Sequence, residues 1–190
     1  MSLAVPTNEE KEDVLLACRY GDVEDIEQFV AKFGPDPLND IRDDRGNTVL
    51  HMVCANGHTD ALDYLLNVVS PSLLSAQNEA QSTALHWAAM NSHLEVAQKL
   101  VKHPQGPGID LIDIKNAAGR SPLGEAENIG WDEGAKWFVE VMNLNDGGKD
   151  EEELRPAEGV QDIEVEIQDA EGKIAKMKIA APANPGSSSS

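Results

Sequence analysis

Thr48-Val49-Leu50-His51 returns 35 residues on as Thr83-Ala84-Leu85-His86, and 38 residues later, degraded, as Ser121-Pro122-Leu123-Gly124. The same frame surrounds each head. Two residues after the Thr or Ser stands Leu50, Leu85 or Leu123; five after it Val53, Ala88 or Ala126; nine after it Gly57, Ser92 or Gly130. Stepping back 36 residues from Thr48 finds a fourth copy without its head, with Val14, Ala17 and Gly21 in those slots. Self-similarity with a period in the mid-thirties is the signature of stacked helix-pair repeats, in which each unit buries its apolar stripe against the next.

Each copy reads as two antiparallel helices. In the second, the first helix spans about Val49 to Asn56, and Gly57 supplies the left-handed stop. The partner helix starts near Thr59 or Asp60, with Leu62, Leu65 and Leu66 forming an apolar stripe. Val96, Ala97, Leu100 and Val101 repeat that stripe, as do Val23, Ile26, Phe29 and Val30, and Ala135, Phe138 and Val139. The outer copies look like caps. The first replaces the head with Glu12-Asp13-Val14-Leu15, and the last places Glu127 where the inner copies have Cys54 and Ala89. A carboxylate is costly between packed repeats and harmless on a wetted end face. The expected fold is therefore an all-α solenoid of four repeats over residues 12–145, after a disordered N-terminus at 1–11.

Between copies run fingers: Gly34 to Gly46, Ser70 to Gln81, and a third, the Pro/Gly-rich His103–Gly108. All three read as loops. Residues 146–190 form an acidic, flexible tail. Within it Ile163-Glu-Val-Glu-Ile167 and Ile174-Ala-Lys-Met-Lys-Ile179 alternate, so a hairpin over 163–179 is expected, setting Glu164 and Glu166 against Lys176 and Lys178. The Ser-rich end is expected to be disordered.

The 34 acidic side chains outnumber the 15 basic ones, for a net charge of −19. Nucleic acids and anionic membranes bind through Lys and Arg, so neither is an expected partner. A basic protein is. The N-terminus has no signal-peptide pattern, no run reaches membrane length, and no basic cluster resembles a nuclear import signal. The expectation is a soluble, intracellular monomer, whose entry into the nucleus would require a carrier or cargo. Cys18 and Cys54 occupy one repeat slot, about 10 Å apart at helix-packing spacing, too far for a disulfide. His103 alone in a loop is no metal site. No nucleophile–base constellation or phosphate-cradling loop appears, so no catalytic residue, cofactor or metal is expected.

T-x-L-H-x-A at this period resembles the ankyrin-repeat family. That resemblance implies that His51 and His86 bond to their own Thr and to backbone between repeats, with His58 and His93 at the inter-helix turns. It also implies a partner-binding surface on finger tips and exposed first-helix positions. Carried over slot by slot, it consists of Asp44, Arg45 and Glu79 on fingers, with Met52, Asn56, Trp87, Met90, Asn91, Glu125 and Asn128 on helices. An apolar strip of Met52, Trp87 and Met90 framed by acids fits a basic amphipathic helix. Together with the four-repeat count and acidic tail, Thr83-Ala-Leu-His-Trp-Ala-Ala-Met-Asn91 and Glu125-Ala-Glu-Asn-Ile-Gly130 resemble the small fungal ankyrin chaperones dedicated to small-subunit ribosomal protein S-3. The implied function is a nonenzymatic escort that shields a basic ribosomal protein before assembly. An adaptor or inhibitor in signalling, transcription or ubiquitin ligation remains open at this point.

Overall fold

The computed structural model describes residues 4–146, 163–168 and 174–179, with side chains described over 4–144. The chain divides into two units, Met1–Gly148 and Lys149–Ser190. In the first, four helix pairs follow one another: α1 (Asn8–Tyr20) with α2 (Val23–Phe33), α3 (Val49–Asn56) with α4 (Thr59–Val68), α5 (Ala84–Met90) with α6 (Leu94–Lys102), and α8 (Pro122–Asn128) with α9 (Asp132–Asp146). A four-residue helix, α7 (Asp110–Asp113), precedes the last pair and packs on α8. The first helices stack α1 on α3, α3 on α5 and α5 on α8, while α2, α4 and α6 stack behind them. The repeat body is an all-α solenoid of four repeats.

The slots of the frame explain the stacking. Leu50 and Leu85 are fully buried, as are Val53 and Ala88, and the stripes of α4 and α6 bury Leu62, Leu65, Val96 and Leu100. These side chains join one continuous core from Val14 to Phe138. Cys18 and Cys54 lie inside it as free thiols. Burial pushes the Cys18 thiol up to about 12 and raises that of Cys54 further, so both stay protonated packing groups. Gly21 and Gly57 end α1 and α3 at φ 74° and 76°. A Cβ on either would also lie within 2.7 Å of the ring of His58 or His93. Those rings reach back across the stack, His58 Nε2 to the Arg19 carbonyl and His93 Nε2 to the Ala55 carbonyl.

Three expectations change. Helix α1 begins at Asn8, inside the stretch 1–11 read as disordered, because Thr7 and Glu10 form a capping box: Thr7 N–H donates to Glu10 Oε2 at 2.8 Å, and Glu10 N–H to Thr7 Oγ1 at 3.3 Å. The connectors read as loops contain helical turns. Asp36–Asn39 and Pro71–Ser75 are 3-10 turns that bury Leu38, Leu73 and Leu74; just past the third finger, α7 buries Leu111 and Ile112. Val139, assigned to the α9 stripe, is exposed, whereas Phe138 beside it is fully buried. Glu127 is exposed on the final face.

In the second unit, β1 (Ile163–Gln168) pairs antiparallel with β2 (Ile174–Ile179), with Glu164 opposite Lys178 and Glu166 opposite Lys176. The other expectations for the tail, its flexible stretch from 147 to 162 and its Ser-rich end, lie outside the described residues.

Candidate functional site

The fingers are built on one repeated polar turn. Asp43, Asn78 and Asn116 stand five residues before their heads, and each accepts N–H bonds from its own tip. Asp43 Oδ1 takes Arg45 N–H and Asn47 N–H, Asn78 Oδ1 takes Ser82 N–H, and Asn116 Oδ1 takes Ala118 N–H and Arg120 N–H, all at 2.8–3.1 Å. Burial pushes the Asp43 carboxyl up, but the bonds from Asn47 and Arg45 outweigh it and hold the group below its ordinary range. Neighbouring fingers are joined edge to edge: Glu79 N–H donates to the Arg45 carbonyl at 3.0 Å, and Ala117 N–H to the Ala80 carbonyl at 2.9 Å. Finger-tip side chains therefore ride on a hydrogen-bonded ladder.

The heads tie this ladder to the helices. His51 Nε2 lies 2.8 Å from the Ser82 carbonyl of the next finger, and His86 Nε2 lies 3.1 Å from the Arg120 carbonyl. A carbonyl only accepts, so Nε2 carries the proton and Nδ1 is left to accept from Thr48 N–H at 3.2 Å or Thr83 N–H at 3.1 Å. Burial depresses both imidazoles below their ordinary pKa, most strongly opposed by the carbonyl each one meets. They are neutral structural bridges.

Outward from the bridges lies an apolar strip. Trp87 is half-buried with its ring edge-on to buried His51, centroids 6.0 Å apart, so the inner head of repeat two fixes the aromatic of repeat three. Met52 is half-buried against the core, and Met90 is 47% exposed. In the equivalent slots of the outer first helices, Leu16 and Tyr20 of α1 are 47% and 74% exposed, and Ile129 at the end of α8 is exposed as well. Asn56 and Asn91 sit at the strip's edge, their amides donating to the Met52 and Trp87 carbonyls at 2.9 Å. Asp44, Arg45 and Glu79 on the fingers and Asn128 at the end of α8 are exposed.

Glu125 does not belong to this surface. It is 2% exposed, accepting Asn116 Nδ2–H at 2.6 Å and Arg120 Nε–H at 3.1 Å. The resemblance places it in the slot of Met52 and Trp87, but in the last repeat that slot turns inward to brace the third finger. Its two donors were visible in the sequence, five and nine residues upstream. At the opposite end of the solenoid, a groove of about 470 Å³ opens between α1 and α2, a feature absent from the surface read from the sequence. Among the described residues, no three or more His, Cys, Asp or Glu side chains are grouped to hold a metal ion, and no helix is long and apolar enough to cross a membrane.

Residues 14–116 match the family described as Ankyrin repeats (3 copies). The chain belongs to the ankyrin-repeat family. Ankyrin repeat-containing protein P16F5.05c of Schizosaccharomyces pombe is 36% identical over 116 residues, 61% of this chain and 75% of that one. Ankyrin repeat-containing protein YAR1 of Saccharomyces cerevisiae is 28% identical over 172 residues, 84% of this ankyrin chain and 82% of its own. Among solved structures, the crystal structure of the yeast ribosomal protein Rps3 in complex with its chaperone Yar1 contains a chain that matches with TM-score 0.66 and 27% identity. The match covers 72% of this chain and 95% of that one.

Proposed function

We propose that this ankyrin chain is a nonenzymatic chaperone of a basic small-subunit ribosomal protein of the S-3 class, working in cytoplasm and nucleus. The observation that carries the reading is the exposed apolar strip on the first-helix face of a chain with net charge −19, in a fold that matches 95% of a chain in the Rps3–Yar1 complex. In this reading Trp87 is the anchor, Met52 and Met90 adapt to the client's apolar side chains, and Asp44 and Glu79 steer its cations. Arg45, Asn56, Asn91 and Asn128 form the polar rim. Covering the client's basic surface keeps it from precipitating with RNA, and the client supplies a nuclear import signal.

The test is equilibrium and kinetic binding of purified S-3 protein. Affinity should fall steeply with salt, because exposed charges are screened beyond about 8–10 Å. Asp44→Lys with Glu79→Lys should slow association, whereas Trp87→Ala should speed dissociation at a cost of roughly 2–4 kcal/mol. Melting curves must accompany Trp87→Ala, since the ring also rests on His51. Binding indifferent to salt, or equal solubilisation of S-3 by the charge-reversed variant, would overturn the reading in favour of an ankyrin adaptor.

A further inference from the structure

The groove between α1 and α2 lies on the open end of the stack, since none of its lining residues comes from another repeat. Phe29, Phe33 and Val14 give it an apolar wall, and the strongly exposed Tyr20 stands at its mouth. Four acids line it, Glu10, Asp13, Asp22 and Asp25, against a single base, Lys32. Asp22 also caps α2, accepting Asp25 N–H at 3.2 Å. None of the salt bridges among the described residues involves Asp13, Asp22 or Asp25.

Lys32 shows what the groove holds. Its ammonium sits 2.7 Å from Glu10 Oε1 and 4.8 Å from the centroid of the Phe33 ring, a carboxylate and an aromatic face on one cation. The Lys32 bond, then the bond from Thr7 N–H, holds the Glu10 carboxyl down to about 2. The groove also adjoins the first-helix face, because Leu16 and Tyr20 line it and occupy, on α1, the slots that Met52 and Asn56 occupy on α3, against which α1 packs. Resting on the chaperone reading, we propose that the basic client does not stop at the first repeat. A lysine- or arginine-bearing segment of it turns over the N-terminal end and seats its cation in this groove in place of Lys32.

The experiment uses the full chain and purified S-3 protein, with a photo-crosslinking amino acid at Gln28 in the groove or at Asn91 on the central face. Crosslinks to S-3 from both positions are expected. Crosslinks from Asn91 alone overturn the end-groove proposal and leave the chaperone reading standing; crosslinks from neither overturn both. A second measurement separates docking from general charge. Lys32→Ala removes the internal occupant and should tighten S-3 binding about threefold more than Lys102→Ala, which removes the same charge from α6. Asp13→Lys with Asp25→Asn should weaken binding about fivefold at unchanged melting temperature, an effect lost at high salt. Equal affinities for the two lysine variants would overturn the proposal.

Discussion

The heads of repeats two and three, set beside the head of repeat four, start from the same cap and diverge at the fourth residue. In repeats two and four the Thr48 or Ser121 hydroxyl oxygen accepts an N–H from the first turn, and in repeat three Thr83 N–H donates to His86 Nδ1, as Thr48 N–H does to His51. His51 and His86 then reach forward to the carbonyl of the next finger. In repeat four Gly124 leaves that place empty, and the next residue, Glu125, reaches back to Asn116 and Arg120 of its own finger. The difference teaches what the histidine is for. It satisfies an acceptor that exists only where another repeat follows, and where none follows the chain drops the ring and braces the last finger from within.

The comparison breaks most readily at His51. His51→Ala would leave a buried cavity and an unpaired Thr48 N–H, with the Ser82 carbonyl reduced to its one bond from Asn78 N–H, and should cost about 3 kcal/mol in urea melts. A loss under about 1 kcal/mol would mean the forward bridge contributes little. A smaller effect should come from pH. His51 and His86 are held neutral in the fold, while the unfolded chain takes up their protons near pH 6.5. Stability should be full above that pH and decline as pH falls below it, ahead of any carboxylate titration. A flat profile between pH 7.5 and 5.5 would contradict the neutral bridges. The smallest effect, of opposite sign, belongs to repeat four. The nearest atoms to a Cβ at Gly124 belong to Arg120 and Ser121, at 3.5 Å or more, so Gly124→Ala should stabilise by about 0.5–1 kcal/mol. If it destabilised instead, the slot would be filled by something other than absence of need.

The period, the four helix pairs and the inner heads were legible because their signals recur: Leu50 and Leu85, Val53 and Ala88 fall into identical slots and are all buried. What recurs once or not at all was harder. Glu125 was assigned to the surface because its slot holds Met52 and Trp87 elsewhere, and slot equivalence fails at a cap, where the neighbour that defines the slot is missing. The connectors hid their turns because four or five residues cannot show a helical period, although Leu38, Leu73 and Leu74 mark where they bury. The start of α1 was legible in Thr7-x-x-Glu10 but lay ahead of the repeat frame. Asp13 and Lys32 are unremarkable as sequence, since their groove exists only where one helix pair faces no neighbour.

The forward bridges also set an order in time. A ribosome delivers this chain N-terminus first, and His51 waits 31 residues for the Ser82 carbonyl, as His86 waits 34 for that of Arg120. At about 5–20 residues per second, each head stays one acceptor short for roughly 2–7 s after its histidine has been added. Repeat four ends the queue, because Glu125 closes on donors already made. The ring of Trp87 and its support at His51 belong to different repeats, so the central strip forms only once the first helix of repeat three has been made and packed on that of repeat two.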